Sequence, residues 1–484
     1  MSQMIQIRDY RLRNLFYPKS VAIIGASEKK GSLGRAIMEN LLKIGFPGKI
    51  YPVNIRGNSC FGLMVYKSVL EIKDSVDLAV IVVPAKVVPR VVEECGKKGI
   101  KSVIVISAGF SETGEEGKKL EKNLLRIIKK YEIRILGPNC LGVYNPKGRI
   151  DLIFNPPDRQ DKPRAGDIAL LSQSGAFGAT FLDFMAEEDI GISSFVSYGN
   201  AMDITESDLL EYFAEDPDTN VIAMYIEGVK NGRIFVSSAE KVIPKKPIIV
   251  LKTGRTASGA RAASSHTGSL AGSDQIYSAV FKQYGILRAE TINELFVKAK
   301  ALAFLNPARG NRIGIVTNGG GAGVLTSDFV ELKNLKVAGL EEETIKRLET
   351  VLPPQATTHN PVDILGDAPS KRYVDATESV LNDKNVDGLI IIIVPQSPAL
   401  EYKELVRGLV HIINAQDKPV VIAIPGGRVA KKLAREFERY RIPAYRTPED
   451  AVLAMTALVE YGKILRKYKK KASSALIQKI IVKE

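Results

Sequence analysis

One stretch of this sequence stands apart by what it lacks. Residues 253 to 269, from Thr253 to Ser269, contain no large apolar side chain, and they carry His266, one of only three histidines in 484 residues. The stretch follows a strand-type run, Ile248–Lys252, and precedes a helix-type pattern beginning near Leu270. A polar loop of this length inside a folded domain is ordinarily a working loop. An imidazole there can be a general base, a metal ligand or a covalent carrier of phosphate. No second His, Cys or dense acid cluster lies at ligand spacing, which argues against a metal. Arg255 and Arg261, among small hydroxyl and glycine residues, favour phosphate handling. His359, in a proline-flanked loop, and His411, within a helix pattern, read as structural. A phosphorylated imidazole needs a carboxylate to hold its other ring nitrogen. Glu227 closes the run Val221–Ile226 and would stand on the same sheet edge; a solvated strand-end acid is the competing reading.

Three glycine-rich turns add to this. A strand, a glycine turn and a helix pattern recur at Val21–Gly34, Ile168–Gly178 and Ile313–Leu325, a faint internal repeat. A helix starting straight after a strand points free N–H groups and its positive dipole end at the sheet's carboxyl edge, and glycine lets an anion come close. Each turn is therefore a candidate anion seat, although one such turn alone is often purely structural. The first, with glycines at 25, 31 and 34, departs from G-x-G-x-x-G. Between Asn40 and Leu70 there is no acid to hold a ribose, but there are Lys43, Lys49, Arg56 and Lys67. Basic residues there suit a ligand with extra phosphates, coenzyme A or NADP.

The elements that must position these residues repeat one pattern. Short Val/Ile/Leu runs occur at Val21–Ile24, Leu78–Val83, Ser102–Ile106, Ile133–Leu136, Ile168–Ser172, Val221–Ile226, Ile248–Lys252, Ile313–Thr317, Leu389–Val394 and Val420–Ile424. Between them lie helix patterns such as Gly114–Tyr131, Asp274–Tyr284, Ile292–Leu305 and Tyr402–Ala415. Unbroken apolar runs are what strands covered on both faces require. The pattern predicts an α/β protein of three Rossmann-like or flavodoxin-like domains, each with a doubly wound parallel sheet. Linkers at Asn155–Asp167 and Asn306–Asn311 place the domains at 1–150, 151–305 and 306–463, followed by a tail at 464–484.

Composition narrows the class. Apolar residues make up 45% and charged residues 25%, which excludes a disordered chain, a collagen or a disulfide miniprotein. The longest aliphatic run, Leu389–Val394, is too short to span a bilayer, and the polar N-terminus has no export signal, so the expectation is a cytoplasmic protein. Cys60, Cys95 and Cys140 are scattered and read as buried small apolar groups. The net charge of +14 is spread along the chain apart from the run Arg466–Lys471, which points to a small anionic substrate, phosphate or an acidic partner and away from nucleic acid or a membrane. Abundant Lys, Glu and Ile without Trp suggest a heat-adapted source.

Taken together, the motifs resemble the α subunit of NDP-forming acyl-CoA synthetases, specifically the archaeal ADP-forming acetyl-CoA synthetase type, relatives of succinyl-CoA synthetase. The resemblance covers about residues 10 to 463. It is carried by Ile24-Gly25-Ala26-Ser27 with Gly31 and Gly34, Tyr51-Pro52-Val53-Asn54, Val83-Pro84, Ser107-Ala108-Gly109-Phe110 and Gly137-Pro138-Asn139-Cys140-Leu141-Gly142. It continues through Ser172-Gln173-Ser174-Gly175, Tyr225-Ile226-Glu227-Gly228, Ser265-His266-Thr267-Gly268, Thr317-Asn318-Gly319-Gly320-Gly321 and Asn360-Pro361-Val362-Asp363. The Glu227 and His266 motifs are the specific ones.

The resemblance implies coenzyme A on the first domain, at Gly25, Ala26, Ser27, Lys29, Gly31, Gly34, Val53, Asn54, Val83, Pro84, Ser107, Ala108, Gly109 and Asn139. It implies His266 as the transiently phosphorylated residue and Glu227 as its carboxylate. Gln173, Ser174, Gly175, Gly268, Asn318, Gly319, Gly320 and Gly321 are implied around phosphate, at two helix N-termini that face each other in this family. The implied reaction passes from acyl-CoA and inorganic phosphate through an acyl phosphate and phosphohistidine to ATP. There is no G-x-x-x-x-G-K-[ST] loop and no room before Glu484 for the ATP-grasp domain of fused members. A separate β subunit binding ADP or ATP with Mg2+ is therefore expected, in a hetero-oligomer such as α2β2. The alternatives are a CoA-binding regulatory protein of the same fold and an NADP-dependent oxidoreductase; a protein acyltransferase would need a further segment.

Overall fold

The computed structural model describes residues 9–261 and 273–481. The chain divides into two compact units, Met1–Arg288 and Ala289–Glu484. Each is built on parallel sheets whose strands are nearly unbroken aliphatic runs. In the first sheet the strand order is Lys49–Val53, Ser20–Ile24, Leu78–Ile81, Ser102–Val105, Arg134–Leu136, all parallel. Counted along the chain this is 2-1-3-4-5, the flavodoxin-like order. Ala22, Ile24, Ala79, Ile81, Val103 and Val105 pack on Val88, Val92, Cys95, Leu124 and Ile128 of the covering helices. Each fully buried aliphatic side chain contributes about 1.5–3 kcal/mol. The helix Val88–Lys98 takes Pro89 in its first turn and ends at Gly99, whose φ of +88° is the left-handed conformation that glycine tolerates.

The second sheet runs Leu287–Ala289, Ile248–Lys252, Val221–Ile226, Ala165–Ser172, Ile192–Ser197, with Gly142–Asn145 and Ile150–Asp151 added antiparallel at the edge. Leaving out these two, the order is again 2-1-3-4-5. The chain has thus entered the second sheet at Gly142, ahead of the expected boundary at 150. Two features tie the sheets of this unit together. Arg134 bonds Asp9, Asp203 and Asp208 at 3.1, 3.1 and 2.8 Å. The Phe16 ring stacks on Tyr212 with centroids 4.7 Å apart.

In the second unit the order is Lys336–Val337, Arg312–Thr317, Gly388–Ile392, Val420–Ala423, Ala444–Tyr445, all parallel, with Val362–Asp363 beside the end of Arg312–Thr317. With that short pair set aside, this is 2-1-3-4-5 a third time. The helix Pro448–Ile481 packs along Ile292–Phe304. Ala299 and Leu295 are buried on one helix, Val452, Met455 and Leu458 on the other. The expected tail therefore starts inside a helix, which continues past residue 463 to Ile481 because no proline or glycine follows Gly462. The position expected to end the second domain, 305, follows Ile292–Phe304, the first helix of the second unit.

The α/β class with doubly wound parallel sheets is as expected. The three cysteines are free and buried, and burial pushes the Cys95 and Cys140 thiols up to about 12. Among the described residues no helix is long and apolar enough to cross a membrane.

Candidate functional site

In a sheet of order 2-1-3-4-5, the connections leaving strands 1 and 3 go to opposite faces, so a crevice opens at the carboxyl ends of those two strands. All three switch points fall on residues singled out from the sequence. In the first sheet they are Gly25–Ala26 and Val83–Pro84, in the second Gln173–Gly175 and Glu227, in the third Asn318–Gly321 and Val394.

The expected coenzyme A residues form one hydrogen-bonded rim at the first switch point. The Gly25 N–H donates to Val53 O at 2.9 Å, and Asn54 Nδ2 donates to Ala26 O at 2.8 Å. Ser107 Oγ donates to Val83 O at 2.6 Å, and the Asn139 N–H donates to Ser107 O at 3.0 Å. Ser27 Oγ accepts from the Lys29 N–H at 3.0 Å. Two of the glycines are there for packing: a Cβ on Gly34 would lie 2.0 Å from Gly25 O, and one on Gly25 2.4 Å from Val82 O. Gly31, with φ of +81°, has open space beside it and leaves the backbone accessible. Lys29, Lys30 and Arg56 are exposed around this loop. The open glycine and these cations fit a large ligand bearing several phosphates.

At the second switch point Gln173 Oε1 accepts from the N–H groups of Glu227 and Gly228 at 2.7 and 3.1 Å. That fixes the turn carrying Glu227 and leaves the amide N–H bonds of Gln173 as donors. Ser174 caps the helix Gly175–Glu187 by accepting from the Phe177 N–H, and Ser172 Oγ donates to Ser174 O at 2.6 Å. The first N–H groups of a helix have no partner within it, so this turn offers donors and a positive dipole end to an anion. Glu227 is buried.

A cavity of about 590 Å³ joins Ser107 and Asn139, on the rim of the first switch point, to the second switch point. Ser107, Ala108 and Asn139 line one wall; Gln173, Ser174, Gly175 and Glu227 line the other. It shares Leu33, Phe154 and Asn155 with a neighbouring cleft of about 900 Å³ that Gly31 lines. Gly25, Ala26, Ser27, Lys29, Gly34, Val53, Asn54, Val83, Pro84 and Gly109 are not among the residues lining either hollow.

His266 and Gly268 lie outside the described residues. Before them, Arg255 faces Asp274 at 3.9 Å and Arg261 Nη2 donates to Ser258 Oγ at 3.1 Å. His359 and His411 are exposed on the second unit. There too, Asn318 spends its whole amide on one residue: Nδ2 donates to Val394 O at 3.0 Å and Oδ1 accepts from the Val394 N–H at 2.9 Å. The backbone at Gly319–Gly321 is what remains for a ligand. A Cβ on Gly320 would lie 2.8 Å from Asp363 Oδ2, and one on Gly321 would meet nothing.

Two residues near the cavity escaped the sequence reading. Lys230 lines it and donates to Ala201 O at 3.1 Å. Lys252, 1% exposed, pairs in register with Ile226 and holds its ammonium 4.7 Å from the Tyr277 ring centroid, while the Tyr277 hydroxyl accepts from the Val229 N–H at 3.0 Å. Burial pushes this ammonium below its usual range, against the pull of Asp274 and Glu227. The available signal was a lysine ending an otherwise aliphatic strand.

Three family models cover most of the chain: a CoA binding domain over residues 19–146, a succinyl-CoA ligase like flavodoxin domain over 165–302 and a Ligase-CoA domain over 313–466. The α subunit of acetate–CoA ligase [ADP-forming] I of Pyrococcus furiosus is 47% identical over 95% of this chain and 100% of its own length. The acetate–CoA ligase [ADP-forming] of Methanocaldococcus jannaschii is 46% identical over 94% of this chain, which spans 64% of that longer protein. The solved dinucleotide forming acetyl-coenzyme A synthetase 1 of Ca. Korarchaeum cryptofilum, in complex with phosphate and ADP, is 39% identical with a TM-score of 0.88, covering 94% of this chain and 98% of that one. These relatives are named as ligases or synthetases, which does not favour the regulatory CoA-binding reading. By identity and coverage, and with CoA-binding and ligase family models matched along its length, this chain belongs to the family of ADP-forming acetate–CoA ligase α subunits.

Proposed function

We propose that the chain is the catalytic α subunit of an enzyme that converts acetyl-CoA, inorganic phosphate and ADP to acetate, CoA and ATP, and runs in reverse to activate the acid. The observation that carries this reading is the shared cavity, with Ser107 and Asn139 on one wall and Gln173, Gly175 and Glu227 on the other.

Residues 1–150 take coenzyme A, whose thioester end reaches the cavity past Ser107 and Asn139. Residues 151–305 carry the phosphate seat and the His266 loop, and residues 306–463 form the second ligase domain, with a further phosphate seat at the turn Asn318–Gly321. Inorganic phosphate rests on the helix start at Ser174–Gly175 and on the Gln173 amide, where preorganised donors stabilise charge without rearranging. A phosphate oxygen bonds to the acyl carbon, the C–S bond breaks, and the thiol takes up a proton. The His266 imidazole then bonds to phosphorus as the acetate oxygen leaves. Glu227 holds the second ring nitrogen and supports the cation that forms. Phosphoryl transfer needs positioning and charge neutralisation more than covalent help, and this wall supplies both. The phosphohistidine hands its group to ADP on a separate ATP-grasp β subunit, in an α2β2 assembly. Mg2+ held there with the nucleotide would supply charge neutralisation for the phosphates.

The test is labelling with radioactive phosphate and acetyl-CoA, followed by peptide mapping. Acid-labile, base-stable phosphate on His266, abolished in His266→Ala while CoA binding is retained, is the expected outcome. A His266→Ala enzyme that still makes ATP with its partner overturns the assignment. Titration with CoA and NADP separates this reading from an oxidoreductase, which requires nicotinamide dinucleotide at the Gly25 loop.

A further inference from the structure

Resting on the reading above, the cavity's usefulness depends on how its two walls are held relative to one another, since each is supplied by a different sheet. One carboxylate spans them. Glu112 sits in the single turn Ser111–Thr113 on the first-sheet side. Its Oε1 accepts from the N–H groups of Gly109 and Phe110 at 2.6 and 3.2 Å, and its Oε2 accepts from Asn200 Nδ2 at 2.5 Å. Asn200 belongs to the loop after Ile192–Ser197 on the second-sheet side. Its Nδ2 also donates to Ser111 Oγ at 3.3 Å, and its Oδ1 accepts from Asn139 Nδ2 at 3.3 Å. Its N–H donates to Pro138 O at 3.0 Å. The loops meet so closely that a Cβ on Gly199 would lie 2.2 Å from Asn139 O. Ser107, Ser111, Asn139, Gly199 and Asn200 all line the cavity.

An ionised carboxylate only accepts, so three N–H donors from both walls converging on it are all satisfied. Burial pushes the Glu112 carboxyl up, but the bonds from Asn200, Gly109 and Phe110 outweigh it and hold it below the usual range. The residue does not line the cavity and touches none of the reacting groups assigned above.

We propose that Glu112 is a positioning residue that locks the CoA-side wall (Ser107–Phe110) to the phosphate-side loop (Gly199–Asn200), and so sets the alignment of the thioester with the phosphate seat. Misplacement of reacting atoms by about 1 Å can cost on the order of a hundredfold in rate. Gln at this position removes the negative charge and turns one of the two acceptors into a donor facing donors.

The experiment uses the assembled enzyme and compares wild type, Glu112→Gln, Asn200→Ala and the double variant. It measures CoA affinity by calorimetry and the rate of phosphohistidine formation from acetyl-CoA and inorganic phosphate. The expected result is a fall in that rate of roughly thirty- to a hundredfold in each single variant, with CoA affinity within about twofold and no further loss in the double variant. A rate within about threefold of wild type in either variant overturns the proposal. So does a loss of CoA affinity that matches the loss of rate, which marks a merely structural residue. If Glu112→Gln does not fold, Asn200→Ala decides alone from the other end of the bond. A wild-type enzyme that forms no phosphohistidine overturns the functional reading instead, and the proposal with it.

Discussion

The switch points of the second and third sheets are two versions of one construction. In each, a hydroxyl on the last residue of the first strand donates two residues on: Ser172 to Ser174 O and Thr317 to Gly319 O. In each, the next residue is a side-chain amide that bonds the backbone following the third strand. In each, a glycine sits in the first helical turn, at Gly178 and Gly323, close enough to the strand that a Cβ would crowd Phe195 or Thr317. The difference lies in what is left over. Gln173, one methylene longer, satisfies the Glu227 turn with its oxygen alone and keeps its N–H donors. Asn318 gives both ends of its amide to Val394. Where the second sheet follows its third strand with Glu227, the third has Val394 and Pro395. On the proposed reading, both frames offer an anion seat, and the chemistry beyond binding falls to the acid and the amide donors that only the second sheet keeps.

Substitutions can break this comparison, and the largest effect is expected at the acid. Glu227→Gln should lower phosphohistidine formation on the order of 10²- to 10³-fold with little change in melting temperature, as loss of electrostatic support for a developing charge does. An unchanged rate of labelling would remove Glu227 from the chemistry. Next is the contrast between the amides. Gln173→Leu should raise the KM for phosphate roughly tenfold or more, because a donor and the pin on the Glu227 turn go together. Asn318→Leu should instead show as lost stability, about 1–3 kcal/mol in denaturant unfolding, since it leaves the Val394 N–H and C=O unpaired. If Asn318→Leu shifts only KM, its amide serves the ligand after all. The smallest effect separates the glycines. Gly321→Ala meets open space within a helix and should stabilise by about 0.4–1 kcal/mol. If its backbone seats phosphate, KM will rise even as the melting temperature does.

Much of this frame was legible from residue order. The helices Asp274–Tyr284 and Ile292–Phe304 follow their apolar spacing closely, as do the strands Val221–Ile226 and Ile248–Lys252. The strands that escaped have physical reasons to. Lys49–Val53 is an edge strand that tolerates Pro52. Ile192–Ser197 is fully buried yet half serine, because Ser193 Oγ finds Thr219 Oγ1 at 2.7 Å inside the fold. Lys336–Val337 and Ala444–Tyr445 are only two residues long. At the site, the turn residues and Glu227 were visible as glycine, hydroxyl and acid following aliphatic strands. Glu112, Lys230 and Lys252 were not, since a charged residue in a turn or at a strand end looks the same whether it faces water or a partner brought from elsewhere in the chain.

By itself, then, the order of residues determined the local pieces: aliphatic runs that must be buried on both faces, glycines where helices start against strand ends, and a polar loop bearing a histidine. These follow from period, propensity and backbone sterics, which act over a few residues. Only the tertiary structure decided which carboxyl edges meet. The 2-1-3-4-5 order, the cavity joining Ser107 and Asn139 to Gln173 and Glu227, and the bond from Asn200 to Glu112, 88 positions apart, all link residues distant in sequence. Such pairings depend on how sheets pack, on the twist that sets each crevice and on the few hydrogen bonds that hold two walls in register.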